Sequence, residues 1–325
     1  MFEKHPYSLL VGQYLQERSF PPSPAYLYDP IRYILSLAGK RIRPMLVLMG
    51  ARLFGKENLQ EVLPASCAIE YFHNFSLLHD DIMDKAPLRR GKPTVHIKWN
   101  DNVAILSGDA LLVKAYEELA HSPAHKIPAL LRMFNQVALE VCEGQQMDMD
   151  FESTEQVTEE QYLNMIRLKT SVLLGGALKM GAILADASDE QQQLIYDFGV
   201  NLGIAFQLQD DYLDVYGDPS NFGKQVGGDI LSDKKTILRI RTQQLAEGDK
   251  RQELENLLFP NQLSDEEKIN RMKKLYSELA VDDYTNQLKE HFMQLAYNQL
   301  SHIAVPDTDK TELFALADML MNRVK

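Results

Sequence analysis

Two short acidic runs are the residues best suited to chemistry: Asp80-Asp81-Ile82-Met83-Asp84 and Asp210-Asp211-Tyr212-Leu213-Asp214. In each, the first and last aspartates stand at i and i+4, on one face of a helix. Each run closes an apolar segment of helix length, Val62 to Leu78 in one case and Leu194 onward in the other. Carboxylates at the end of a buried helix are costly unless something neutralises them. Hard divalent cations do this through oxygen, and Mg²⁺ usually takes only one or two carboxylates together with substrate phosphates. Two such helices facing each other would make a metal-lined mouth, sized for a diphosphate, over an apolar tunnel. One motif alone reads equally well as a solvated helix end; two, both closing apolar helices, point to a metal site. Asp282-Asp283-Tyr284 is an internal control: residue 286 is Asn, no long apolar helix precedes the pair, and it reads as surface.

Basic residues are spaced around these aspartates. Gly39-Lys40-Arg41-Ile42-Arg43-Pro44 reads as a helix end, a turn and a new helix start, which offers cations and backbone N–H groups to a phosphate. Arg89 and Arg90 follow the first motif, Lys169-Thr170 stand within a helix, and Lys224 and Lys234 follow the second motif. Each alone is an ordinary solvated charge. Their joint spacing is what suggests an anion site.

The elements that must position these groups are helices. Apolar segments with helical period are punctuated by Gly and Pro, and alternating runs are scarce. Helices are expected at 8–18, 28–38, 44–54, 62–84, 101–120, 127–149, 159–184, 189–216 and 232–246, with several more between 250 and 323. Val62 to Leu78 is apolar nearly all round, as a central buried helix should be. The 325 residues include 45% hydrophobic and 25% charged, the mix of a globular protein. No Pro/Ser/Gly linker divides them, so a single domain over 1–325 is expected. With 34 Lys and Arg against 46 Asp and Glu, the net charge is −12, which disfavours nucleic acid as a partner. No apolar run is long enough to span a membrane, and no secretory signal opens the chain, so the expected location is cytoplasmic. Cys67 and Cys142 lie in apolar surroundings and read as two buried, reduced thiols.

The motifs together resemble those of the trans-isoprenyl diphosphate synthases, the family of farnesyl, geranylgeranyl and longer-chain synthases. They are Gly39 to Pro44, Asp80 to Asp84 with Arg89-Arg90, Gly144-Gln145-Gln146-Met147-Asp148, Lys169-Thr170, Phe206-Gln207-Leu208-Gln209-Asp210 through Asp214, and Gly223-Lys224. They run in family order over about residues 39 to 236; the C-terminal third carries no matching motif. The resemblance implies an all-α, single-domain helical bundle around a central apolar tunnel. It implies Mg²⁺ as cofactor, about three ions per site with Mn²⁺ able to substitute, bridging carboxylate and phosphate. Asp80, Asp84 and Asp210 would be the main ligands, with Asp81, Asp211 and Asp214 in support. Arg89, Lys169, Gln207 and Lys224 would hold the allylic diphosphate, with Lys234 near it. Lys40, Arg43, His73 and Arg90 would hold isopentenyl diphosphate, and Thr170, Phe206 and Gln207 would border the reacting carbons. The stretch after Lys224 departs from some members by one residue, so Asp229 and Lys234 are placed less securely than Lys224. A homodimer is the family's expected assembly.

The activity so implied is head-to-tail condensation of isopentenyl diphosphate with an allylic diphosphate. The allylic substrate ionises, the C=C of isopentenyl diphosphate attacks the cation, and a proton is lost. Loops at 85–95 and 217–233 are the candidates to close over it. A terpene cyclase shares the helical fold and first motif, but would not need Lys40, Arg43 and Arg90 for a second diphosphate. A non-catalytic modulating subunit would tend to lose aspartates, and all six are present. The expected product is geranylgeranyl diphosphate (C20), with farnesyl diphosphate (C15) as the alternative. In the family, the residues at positions 75 and 76 set the floor for the growing chain. Ser76 leaves depth, Phe75 limits it, and Phe72 and Tyr71 stand below as a second barrier.

Overall fold

The computed structural model describes residues 5–37, 39–217, 226–258 and 263–321. Its helices are α1 (Pro6–Glu17), α2 (Ala25–Ser36), α3 (Ile42–Leu53), α4 (Leu63–Met83), α5 (Val95–Lys98), α6 (Asp101–Ala120), α7 (Ile127–Ser153), α8 (Glu159–Ile166), α9 (Val172–Leu184) and α10 (Asp189–Tyr216). They continue as α11 (Gly228–Leu231), α12 (Ile237–Leu245), α13 (Gly248–Leu258), α14 (Asp265–Glu278), α15 (Val281–His302) and α16 (Asp307–Met321). Among the described residues, the one sheet is a hairpin of β1 (Leu88–Arg89) and β2 (Lys92–Pro93). The fold is all-α, as the resemblance implied. By contacts the chain forms two compact units. One comprises Met1–Ala138, Gly176–Tyr196 and Ala304–Asp309, the other Leu139–Gly175, Asp197–Ile303 and Lys310–Lys325.

In the first unit α4 is the core. Thirteen of its 21 residues are buried, Leu63 to Phe72 without interruption, and it packs chiefly on α6 and α3. Helix α3 meets α9 backbone to backbone. A Cβ on Gly50 would stand 2.3 Å from the Leu178 carbonyl oxygen, and one on Gly181 would stand 2.1 Å from that of Val47. Only glycine admits such an approach. The residues after α4 were expected as a loop. They form instead the β1–β2 hairpin, in which Arg90 (φ 53°) and Gly91 (φ 73°) occupy the left-handed positions of a tight two-residue turn. Thr94 ties its base: its N–H reaches the Pro87 oxygen at 3.2 Å and its hydroxyl the Ala86 oxygen at 2.7 Å.

The run from α8 to α9 covers 159–184 as expected, but Arg167–Ser171 make a π turn within it. The helix expected at 232–246 is shorter. Asp233 has φ 50°, which no helix interior allows, and the Thr236 side chain caps α12 by accepting from the Arg239 N–H. The polar C-terminal third is helical too. Its helices are held by such pairs as Arg271–Glu253 at 2.7 Å and by the Tyr297–Phe314 ring contact at 5.4 Å.

Candidate active site

In the first unit the acidic motif forms the last turn of α4. Asp80 is half-buried, and Asp84, the helix C-cap, is exposed. Asp81 is different: its side chain is 1% exposed and is taken by Arg89. Arg89 Nε lies 2.9 Å from both carboxylate oxygens and Nη2 lies 2.7 Å from Oδ1. Such a fork fixes orientation as well as charge. Asp81 therefore anchors the hairpin and aims Arg89.

The expected isopentenyl cradle gathers in the same unit. Arg43 Nη1 stands 3.2 Å from His73 Nε2. Arginine can only donate, so His73 accepts there and carries its proton on Nδ1. Burial, reinforced by Arg43, Arg90 and Arg89, holds the His73 pKa well below the ordinary histidine value. It is a neutral acceptor that orients Arg43. Arg90 Nη1 donates to the Leu37 oxygen at 3.2 Å, and a Cβ on Gly39 would lie 2.6 Å from that same nitrogen. The motif glycine thus admits the arginine. Lys40 is exposed. The sequence reading missed Glu70. This buried carboxylate accepts from Asn74 Nδ2 at 3.2 Å. Burial raises its pKa, while Arg41, Arg90 and Arg43 pull the other way. Its signal was a lone acid inside the otherwise apolar run of α4.

In the second unit the acidic motif lies in the last two turns of α10. Asp210 and Asp214 are half-buried, and the Asp229 N–H donates to Asp214 Oδ2 at 3.0 Å. Asp211 is buried, taking the Tyr162 hydroxyl on one oxygen and Gln207 Nε2 on the other, the latter at 3.0 Å. Burial first, then the charge of Asp229, pushes its pKa up to about 7. The hydrogen bonds from Tyr162 and Gln207 and the charge of Lys234 oppose this. Both motifs are therefore built alike: the second aspartate is buried and held by protein donors, and the first is half-buried. Tyr162 escaped the sequence reading; Asp148 was read only as part of its motif and Asp229 only as insecurely placed. Thr170 and Phe206 are half-buried; Lys224 lies outside the described residues, as does most of the first half of the expected 217–233 loop.

Lys169 sits in the π turn and pairs with Asp148 at 2.5 Å. The Gly144-to-Asp148 motif explains this geometry. A Cβ on Gly144 would stand 2.2 Å from the Lys169 backbone nitrogen, so α7 touches the π turn there and Asp148, one turn on, meets the ammonium. We expect Gly144→Val to cost about 1–3 kcal/mol by overpacking and to lower kcat, because it displaces Lys169. A thermal melt and an activity assay together check this; an unchanged melt would mean that the two helices separate freely.

The chain-length residues join an aromatic stack. Phe75 and Phe72 have ring centroids 5.6 Å apart, Phe72 and Phe134 5.4 Å, and Phe134 and Tyr116 5.1 Å. Ser76 is half-buried, its hydroxyl bonded to the His73 oxygen at 2.9 Å. Tyr71 is not part of the stack: its ring lies 6.0 Å from that of Phe20. Cys67 is buried, but Cys142, expected to be buried, is exposed.

The donor set of both motifs is carboxylate oxygen, which suits a hard cation. Among the described residues no three His, Cys, Asp or Glu converge as a ready-made cage. No described helix is long and apolar enough to cross a membrane.

The comparisons place this all-α chain among prenyl-transferring enzymes. The polyprenyl synthetase family model matches residues 24–279. The chain is 42% identical over 245 residues to a short chain isoprenyl diphosphate synthase of Methanocaldococcus jannaschii, covering 74% of this chain and 73% of the relative. It is 37% identical to a geranylgeranyl pyrophosphate synthase of Geoglobus acetivorans, covering 97% and 96%. It is 34% identical to a geranylfarnesyl diphosphate synthase of Aeropyrum pernix, covering 98% and 100%. A crystal structure of a geranylgeranyl pyrophosphate synthase superposes with a TM-score of 0.93 at 42% identity, covering 100% and 99%. One from Corynebacterium glutamicum, complexed with isoprenyl diphosphate and magnesium, gives 0.83 at 26%, covering 98% and 96%. The protein belongs to the polyprenyl synthetase family.

Proposed function

We propose that the protein is a Mg²⁺-dependent trans-prenyltransferase that condenses isopentenyl diphosphate with an allylic diphosphate, with geranylgeranyl diphosphate as its main product. The observation that carries this reading is the repeated construction of the two acidic motifs, each with a buried second aspartate held by protein donors beside half-buried or exposed partners. Asp80, Asp84 and Asp210 would hold the metal ions, with Asp214 in support. Asp81 and Asp211 act chiefly by holding Arg89, Tyr162 and Gln207. Bound Mg²⁺ would neutralise carboxylate and phosphate and stabilise charge on the leaving diphosphate.

The chain's own groups do the rest. Arg89, Lys169 and Lys224, with Gln207 and Lys234, grip the allylic diphosphate, where donors aimed at developing negative charge lower the barrier to ionisation. Lys40, Arg43 and Arg90 grip isopentenyl diphosphate, with neutral His73 fixing Arg43. Thr170 and Phe206 border the reacting carbons. The exposed apolar residues of α6, Ile105, Leu106, Val113 and Tyr116, support a homodimer, because a monomer seldom leaves such a stripe uncovered. One family model spanning both compact units supports a single functional domain.

The test is incubation of the purified protein with Mg²⁺, isopentenyl diphosphate and each allylic diphosphate, followed by sizing of the products. No elongated product from any of them would refute the reading. The assignment of cations is checked separately. Arg90→Ala and Lys40→Ala should raise KM for isopentenyl diphosphate about tenfold, the worth of one charge-assisted contact, and leave the allylic KM nearly unchanged. Lys224→Ala should do the reverse. Equal effects on both constants would show the two sites to be misassigned.

A further inference from the structure

Beside Arg90 lies an open cavity of about 780 Å³ whose other lining residues have no role above. Tyr33, Ser36 and Leu37 of the α2 end, Arg90, Lys92 and Pro93 of the hairpin, and Ile97 and Lys98 of α5 line it. Its volume falls within the range of small-molecule sites. Its chemistry is unusual for this chain. The net charge is −12, yet the lining holds three cations and no carboxylate. One wall is apolar: Ile97 is 57% exposed, beside Pro93 and Leu37.

The cationic wall is built rather than incidental. The Tyr33 hydroxyl donates to the Pro93 oxygen at 2.8 Å, which pins the hairpin to α2. The Lys98 ammonium lies 3.8 Å from the Tyr33 ring centroid and 4.7 Å from that of Trp99, two rings that meet edge to face at 5.4 Å. The ring faces hold the ammonium in place. Arg90 belongs to both this lining and the cradle, and its charge is one of those that depress the His73 pKa.

A pocket with one cationic wall and one apolar wall recognises an anionic head carrying a hydrocarbon tail. We propose that this cavity is a second binding site for an isoprenoid diphosphate, the head on Lys92, Lys98 and the outer edge of Arg90, the tail on Ile97, Pro93 and Leu37. Its occupation draws Arg90 away from isopentenyl diphosphate and slows the enzyme as long prenyl diphosphate accumulates. The inhibitory consequence rests on the cradle assigned above; the binding itself does not.

The probe is geranylgeranyl diphosphate, titrated by calorimetry into the whole protein in EDTA, where metal-dependent binding is suppressed. Wild type should bind it, and Lys92→Glu/Lys98→Glu should bind it about tenfold more weakly or worse, since two charge-assisted contacts become repulsive. The double variant should stay folded and keep its turnover at low product, with a slightly lower melting temperature from the lost Lys98 ring contacts. It should lose that part of geranylgeranyl diphosphate inhibition that raises KM for isopentenyl diphosphate. Ile97→Glu should weaken the same probe but leave inorganic diphosphate unaffected. Equal affinity of wild type and the double variant would overturn the proposal. So would inorganic diphosphate binding as tightly as the prenyl compound, which would leave the apolar wall without a role. Binding to phosphatidylglycerol vesicles but not to the free prenyl diphosphate would assign the cavity to a membrane lipid instead. If wild type binds the probe in EDTA yet makes no product in Mg²⁺, the catalytic reading fails and the site stands.

Discussion

Asp80→Ala and Asp210→Ala should each lower kcat by about 10²–10³-fold, the usual scale for removing one preorganised stabiliser of developing charge, while leaving the melting temperature within a degree or two. Both aspartates are half-buried at helix ends rather than in a packed core, so little packing is lost with them. A surplus of EDTA should abolish activity outright. Asp81→Ala should carry a different signature. Its carboxylate is 1% exposed and accepts a forked bond from Arg89, so its removal strands a partly buried guanidinium. The expected cost is about 1.5–3 kcal/mol for a lost charged hydrogen bond, visible as a lower melting temperature, and the loss of activity comes with it. The measurements are product formation with titrated Mg²⁺ and thermal melts of all three variants. Near-normal turnover in Asp80→Ala would remove the metal site from the first motif. A melt of Asp81→Ala equal to wild type would mean that the Arg89 fork contributes nothing.

The difference between Asp80 and Asp81 marks what the sequence could not say. Six aspartates look alike in two motifs; burial separates Asp81 and Asp211 from the four that are half-buried or exposed. Long amphipathic or apolar helices were legible, because a period of 3.6 over many residues leaves a clear record. Helices α6 and α10 have the expected bounds, and α4 differs by one residue at each end. The π turn was not legible. Nothing local in Arg167–Ser171 demands it; the contact of Gly144 with the Lys169 backbone is a tertiary fact. The hairpin escaped because strands of two residues are too short to show alternation. Cys142 is an error of phase. On α7 the buried residues are Leu130, Met133, Phe134, Val137, Val141, Gly144, Gln145 and Phe151, a single stripe, and Cys142 is one step off it. Apolar neighbours in sequence suggested burial where helical phase denies it.

Phe75→Ala should lengthen the main product, and Ser76→Phe should shorten it to C15. A helical turn rises about 5.4 Å, close to one extended isoprene unit, so side chains one turn back from Asp80 set the depth for about one more condensation. Ser76 is small and its hydroxyl is turned onto the His73 oxygen, so a phenyl ring at 76 fills space the serine leaves open. Phe75 is half-buried, and its ring contacts both Phe72 and His79, the latter at 4.7 Å. Removing it exposes a second layer: Phe72, 1% exposed, leans edge-on against Phe134, which in turn meets Tyr116. The gain from Phe75→Ala alone should therefore stop at about one isoprene unit, since Phe72 stands next to it in the stack. Phe75→Ala combined with Phe134→Leu should go further, because it opens the layer behind. Phe134 is 2% exposed, so the milder leucine is the better choice there; alanine would cost about 3–5 kcal/mol by cavity formation. Product sizing by chromatography separates the possibilities. A one-step gain in the single variant and a larger one in the double variant would assign the floor to the stack from Phe75 to Phe134. Unchanged length in Phe75→Ala with a gain in Phe134→Leu alone would move the floor to α7. Unchanged length in all three would take it off this face of α4 altogether.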